Sequence, residues 1–173
     1  MAVVHKLIKK QSKKVKKETV VILPDIRSTY NVGSFFRTCD GAGIDKIYLC
    51  GYTPCPIDSF QRPRKDISKT ALGAELVIPW EYNKDVKKTI KELKKEGKII
   101  IAVEQHKRAV EYTSLLYKKE IKEKSKAFVF GNETEGLPQS VINLCDYVVD
   151  IPMRGEKESL NVSVSAGIIL YSI

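Results

Sequence analysis

The chain has 173 residues, 43% hydrophobic and 29% charged, with a formal net charge of +9, a size and balance that suit one folded domain with its own core. No apolar run reaches the ~18–20 residues of a membrane span. The lysine-bearing N-terminus lacks the continuous apolar stretch of a signal peptide, so membrane-embedded and secreted classes are set aside.

In chain order, residues 1–17 carry seven lysines and no acid. This basic tail either tracks phosphates by counterion release or is simply solvated. His5 to Lys17 is compatible with a loose helix. The run ETVVIL, residues 18–23, is continuously apolar and β-branched, as expected of a strand buried on both faces of a parallel sheet, and Pro24 ends it. A helix follows, with Asn31 as a possible cap, Phe35, Phe36 and Cys39 as its apolar face, and Gly41 and Gly43 at its end. KIYLC, residues 46–50, is the second strand. Residues 51–65 hold three prolines with Arg62, Arg64 and Lys65, the composition of a long and functional surface loop. A short helix is expected over Asp66 to Gly73 and a short strand over Glu75 to Ile78. Lys84 to Glu96 is an amphipathic helix, with Val86, Ile90 and Leu93 on its apolar stripe. The strand KIIIAV, a polar helix within 111–124, the strand KAFVF, a short helix over Pro138 to Cys145 and the strand from Tyr147 to Ile151 complete the alternation. Strand and helix in turn mean βαβ units, hence an α/β fold with a parallel sheet flanked by helices. Cys39, Cys50, Cys55 and Cys145 form neither a CxxC pair nor a zinc spacing, which reads as reduced thiols in a cytoplasmic protein with no metal centre.

Three polar clusters follow strands: 31–37, 131–136 and 154–161. All can meet at the carboxyl edge of one sheet, where open α/β folds bind ligands. Arg37 stands in the apolar stretch SFFRTC and needs either a core carboxylate or a task at a cleft. An arginine is a poor base at its ordinary pKa, so a base role requires an unusual setting or help from a phosphate. GNETEGL, residues 131–137, is neither GxGxxG nor a P-loop; its glycines let backbone approach a ligand, and Glu133 or Glu135 can accept from hydroxyls or amines. Ser159 and Asn161 bracket a leucine at a helix start, where backbone donors are free, and Ala166 and Gly167 permit close packing. Ser159 has no histidine base near it in sequence, and neither His5 nor His106 is expected to be catalytic.

NVGSFFRTCDGAGID, GNETEGLP and IPMRGEKESLNVSVSAGIILY, with DISKTALGAE between the first two, resemble the motifs of the TrmH/SpoU branch of the SPOUT RNA methyltransferases over about residues 19–171. The resemblance implies a C-terminal deep trefoil knot, a methyltransferase domain over 18–173 behind the basic 1–17 tail, and a homodimer. It also implies transfer of a methyl group from S-adenosylmethionine to a ribose 2′-hydroxyl of tRNA or rRNA. Carried over by position, Arg37 activates the hydroxyl, with Asn31, Glu133, Ser159 and Asn161 as the polar catalytic set. Gly131, Ile151, Met153 and Leu160 match cofactor-binding positions. Lys13, Lys14, Arg62, Arg64 and Lys65 are the residues expected to grip RNA. Two other functions fit the residues less fully: a non-catalytic RNA-binding module on the same fold, and a doubly wound enzyme acting on a free nucleotide, which would show little salt-sensitive RNA affinity.

Overall fold

The computed structural model of the chain describes residues 17–173; the expectations for His5, Lys13, Lys14 and the tail helix lie outside them. The chain runs β1 (Thr19–Pro24), α1 (Thr29–Gly41), β2 (Lys46–Cys50), α2 (Lys65–Ala71), α3 (Ala74–Val77), β3 (Trp80–Asn83), α4 (Val86–Lys95) and β4 (Ile99–Val103). It continues through β5 (Val110–Glu111), α5 (Tyr112–Leu116), α6 (Lys119–Lys122), β6 (Lys126–Phe130), α7 (Gln139–Ile142), β7 (Tyr147–Asp150) and α8 (Val162–Leu170). The strands form one sheet in the order β3-β2-β1-β6-β4-β7-β5, every pair parallel. The chain winds outward from β1 through β2 to β3 and then crosses to the other half, so the strand order reverses beside β1.

The continuous apolar runs resolve into two faces because successive strand residues point to opposite sides. Val21, Leu23, Ile101, Val103, Phe128 and Phe130 pack with α1, α2, α3, α5, α6 and α8. Val20, Ile22, Ile100, Ala102, Ala127 and Val129 pack with α4 and α7. A two-residue strand such as β5, both residues exposed, carries no periodicity in sequence and was not foreseen. Residues 111–124 hold two short helices, not one.

The strand expected over Glu75 to Ile78 is instead the short helix α3. Gly73 takes φ 94° ahead of it, and its N–H donates to the Glu75 carboxylate at 3.0 Å. Leu76 and Val77 point to solvent, so the apolar letters here do not mark sheet burial. The strand starts after Pro79, with Trp80 opposite Ile47. Asn31 does not cap α1. Ser28 does, accepting from the Asn31 N–H, and this leaves the Asn31 side chain for another contact.

Gly33 sets how closely α1 lies on α2. A methyl group there would stand 2.1 Å from Thr70 Oγ1 and 2.3 Å from the Ile67 carbonyl oxygen, and the second of these is backbone that cannot turn aside. Alanine gains about 1 kcal/mol over glycine in an unobstructed helix, whereas overpacking costs about 1–3 kcal/mol. With backbone as close as 2.3 Å the cost falls at the upper end of that range, and Gly33→Ala is expected to lower stability by about 2 kcal/mol net, read as a reduced midpoint in urea unfolding. An unchanged or raised midpoint would mean that α1 and α2 can separate at little cost.

Candidate active site

A cavity of about 530 Å³ opens at the carboxyl ends of β4, β6 and β7. Its walls are Val103 to Gln105 after β4, Phe130 to Gly136 after β6, and the return from Asp150 to α8 through Ile151, Met153 and Ser159 to Val162. Seven of the residues singled out in the sequence thus come together: Gly131, Glu133, Ile151, Met153, Ser159, Leu160 and Asn161.

The turn after β6 is built by its own side chains. Asn132 Oδ1 accepts from the Thr134 and Glu135 amides at 3.0 and 2.7 Å. Gly136 closes the turn at φ 65°. A side chain on Gly131 would strike the Gly136 backbone at 2.7 Å and Glu104 Oε2 at 2.6 Å. Glu104 fills the inside of this turn, Oε2 accepting from the Leu137 amide at 2.7 Å and Oε1 from the Gln105 amide at 3.1 Å. Burial pushes its carboxyl above the ordinary value, opposed by those two amides and the nearby His106. Glu104 was missed in the sequence. The available signal was a carboxylate placed directly after a buried strand, which burial makes costly without partners.

Glu133 binds the turn after β6 to the turn after β1. Its carboxylate accepts from Asn31 Nδ2 at 2.8 Å and from the Ser28 and Arg27 amides, each at 3.1 Å. Desolvation raises this carboxyl, but hydrogen bonds from Asn31, from the Arg27 amide, from its own amide and from Ser28 together outweigh it and hold the group below its usual range. Asn31 Oδ1 in turn accepts from Asn161 Nδ2 at 3.3 Å. Asn161 caps α8, its Oδ1 taking the Ser163 amide at 2.8 Å. Glu133, Asn31 and Asn161 are thereby one chain across three strand ends. Gln105 Nε2 donates to the Glu158 carbonyl, fixing the irregular return segment against β4.

Arg37 stands apart from this group. It is exposed on α1, it does not line the cavity, and among the described residues it has no ion-pair partner, so it is not neutralised by a core carboxylate. Ser159 lines the cavity and is exposed. Ala166 is fully buried, but nothing lies within 4 Å of the place a Gly167 side chain would take. Arg62 pairs with Asp58 at 2.8 Å and Arg64 with Asp66 at 2.9 Å, while Lys65 opens α2. The cavity wall carries Glu104, Glu133, Glu135 and Asp150 and, among the described residues, neither lysine nor arginine. Among the described residues, no group of His, Cys, Asp and Glu could hold a metal ion.

A parallel α/β sheet with a cavity at its carboxyl edge, where the strand order reverses, defines a ligand-binding enzyme fold in general terms. Comparison with known proteins narrows it. Residues 18–171 match the SpoU rRNA Methylase family, and the chain belongs to that family. A Staphylococcus epidermidis protein assigned to the TrmH family of tRNA/rRNA methyltransferases is 31% identical over 166 residues, 96% of this chain and 62% of that protein. The chain thus spans about three fifths of the length of the staphylococcal relatives it matches. The AdoMet-bound rRNA methyltransferase of Sinorhizobium meliloti superposes with a TM-score of 0.79 at 27% identity, over 92% of this chain and 56% of that one. The A. aeolicus TrmH/SpoU tRNA modifying enzyme does so with a TM-score of 0.76 at 26% identity, over 92% and 75%.

The lowered Glu133 carboxyl gives a pH signature. Its stabilising effect is fully present above the unfolded value of about 4.3 and is lost as pH falls through the lower folded value. Glu133→Gln, which does not titrate, is expected to have a lower unfolding midpoint than the wild type near pH 7. The gap should narrow on acidification toward about pH 3. A constant gap across that range would mean that the carboxylate charge contributes nothing to the contact.

Proposed function

We propose that the chain transfers a methyl group from S-adenosylmethionine to a ribose 2′-hydroxyl of tRNA or rRNA, acting in the cytoplasm as a homodimer. The observation that carries this reading is the charge of the cavity. A chain of net charge +9 has four carboxylates and, among the described residues, no cationic side chain on the cavity wall, with Glu135 of the four paired to Arg27 at 3.5 Å. That wall suits a cationic sulfonium and repels a nucleotide phosphate, which weighs against a free-nucleotide enzyme. When bound, S-adenosylmethionine supplies an electrophilic methyl group on its sulfur.

The chain's own residues divide the remaining work. Gly131, Ile151, Met153 and Leu160 would hold the cofactor, largely through backbone, in the wall formed by the turn after β6 and the return from β7. The proposed trefoil knot is the threading of that return past that turn, and the shared cavity and the Gln105 contact to Glu158 support it. Glu133, Asn31 and Asn161 are positioning residues that keep the two walls in register, and Ser159 faces the substrate. Arg37, free of any carboxylate among the described residues, has its guanidinium available to stabilise the 2′-hydroxyl as it loses its proton, with an RNA phosphate assisting. Alignment of donor and nucleophile accounts for most of the rate, since no covalent intermediate is needed. Lys13, Lys14, Arg62, Arg64 and Lys65 would grip RNA. The placement of Arg37 outside the cavity lining favours the second reading, a non-catalytic RNA-binding module.

Labelled methyl transfer to total tRNA and, separately, to ribosomal RNA, followed by nucleoside analysis, distinguishes the two. A 2′-O-methylated nucleoside is the expected product. Arg37→Ala should reduce turnover by about 100-fold or more with S-adenosylmethionine binding intact by calorimetry. Full turnover in that variant would remove Arg37 from the mechanism, and wild-type protein that binds RNA but neither binds S-adenosylmethionine nor transfers methyl would support the binding module.

A further inference from the structure

The loop between β2 and α2 presents aromatic side chains to solvent on a constructed support. Phe60 is 75% exposed and Tyr52 89%. Phe60 sits at the tip of a narrow turn closed by the antiparallel bridge between Ile57 and Pro63. Asp58 holds the tip from within. Its Oδ1 accepts from the Phe60 amide at 2.8 Å and the Arg62 amide at 3.0 Å, and its Oδ2 accepts from Arg62 Nε at 2.8 Å. The Arg62 guanidinium lies 5.0 Å from the Phe60 ring centroid. A phenylalanine displayed at the tip of a turn organised by four hydrogen-bonding groups is not a residue that failed to reach the core.

The loop is also fastened to the cavity side of the sheet. Tyr52 N–H donates to Asp25 Oδ1 at 2.9 Å, Thr53 Oγ1 donates to the Leu23 carbonyl at 2.6 Å, and the Ile26 amide donates to Thr53 Oγ1 at 3.0 Å. These partners belong to the same turn after β1 whose Arg27 and Ser28 amides hold Glu133 in the cavity wall. Tyr30, half exposed and adjacent to Asn31, has the Lys69 ammonium 5.7 Å from its ring.

We propose that Phe60 and Tyr52, exposed on the loop after β2 that is tied to the cavity wall through the turn after β1, offer stacking surfaces for unpaired nucleobases, so that the chain takes a single-stranded or looped RNA segment and not a duplex. This rests on the RNA methyltransferase reading and adds the form of RNA to it. Every base offers a π-face for such stacking, and an A-form duplex buries those faces while presenting sugars and phosphates. Arg62 is already paired with Asp58, so the tip contributes a surface more than a free charge. The neighbouring Lys65 and Lys69 favour a polyanion over an apolar protein partner.

The test is fluorescence anisotropy of the full chain with three labelled probes of about 12 nucleotides, a length that spans one binding groove: a single-stranded oligoribonucleotide, its duplex, and an abasic strand. Phe60→Ala should weaken single-strand binding about ten-fold and leave duplex and abasic binding unchanged. The slope of affinity against salt should stay constant, since no charge is removed, and Phe60→Trp should restore affinity. Unaltered single-strand binding by Phe60→Ala, or equal loss on all three probes, overturns the platform. So does a change in sedimentation of the protein alone with RNA affinity intact, which would assign the tip to a protein contact. Methyl transfer by the wild type, measured in parallel, separates the two ideas: transfer with no Phe60 effect removes only the platform, and a wild type that neither binds nor transfers removes both.

Discussion

The carboxylate of Glu133, with the Arg27–Glu135 ion pair at 3.5 Å beside it, joins the two halves of this sheet at its carboxyl edge. The turn after β1 and the turn after β6 come from strands that are neighbours in space and far apart in sequence. Glu133 accepts two backbone amides and one side-chain amide from the first of these turns. The two backbone donors precede α1, where N–H groups have no partner within the helix and the helix dipole favours negative charge. A carboxylate offers only acceptors, so it meets three donors without turning a donor toward them. Its grip fixes Asn31 as well. With Nδ2 on Glu133 and Oδ1 on Asn161, that amide has one orientation that satisfies both neighbours, and α8 is thereby registered to the first helix.

Charge is sorted by depth. Among the described residues, lysines and arginines lie outside the cavity lining, and carboxylates are part of it. A low-dielectric cleft lined by one sign focuses its field. In the proposed reaction this arrangement draws a cationic donor inward and keeps a polyanionic substrate at the rim, where its phosphates meet the basic loop. The same arrangement favours release. The donor loses its sulfonium charge on transfer, so the product has less attraction to the wall than the reactant had.

The sheet was legible in the sequence because β1, β4 and β6 are continuous apolar runs bounded by Pro, Gly or Lys, and such runs have few other fates. The site was legible as three polar clusters after strands, since parallel topology sends all three to one edge. What escaped was local side-chain chemistry. Ser28 and not Asn31 is the cap because the helix starts at Thr29, one turn earlier, and Ser28 takes the Asn31 amide; sequence alone ranks the two residue types equally. Residues 75–78 read as a strand because Leu76, Val77 and Ile78 are apolar; the exposure of Leu76 and Val77 is decided by the Gly73 turn and the Glu75 contact, which periodicity does not encode. Glu104 was not singled out, because its partners are backbone amides that only the folded turn brings within reach.

Glu104 and Glu133, the two carboxylates of the cavity wall with shifted ionisation, serve the shape of the cavity and not the chemistry inside it. Both oxygens of Glu104 accept backbone amides, and both oxygens of Glu133 are engaged by the turn before α1. Glu104 is held in a tight space between two glycines, so burial dominates and its carboxyl is raised. Glu133 lies at the surface with more donors, so hydrogen bonding dominates and its carboxyl is lowered. The opposite signs follow from one difference, the number of donors relative to the water excluded. A residue whose oxygens are committed to backbone is poorly placed to exchange protons with a substrate. In the proposed catalytic set Ser159 and Arg37 stand outside these contacts; Arg37 is exposed on α1 and has no ion-pair partner among the described residues, so its guanidinium can stabilise the oxygen of the reacting hydroxyl as the proton leaves, but does not itself take that proton.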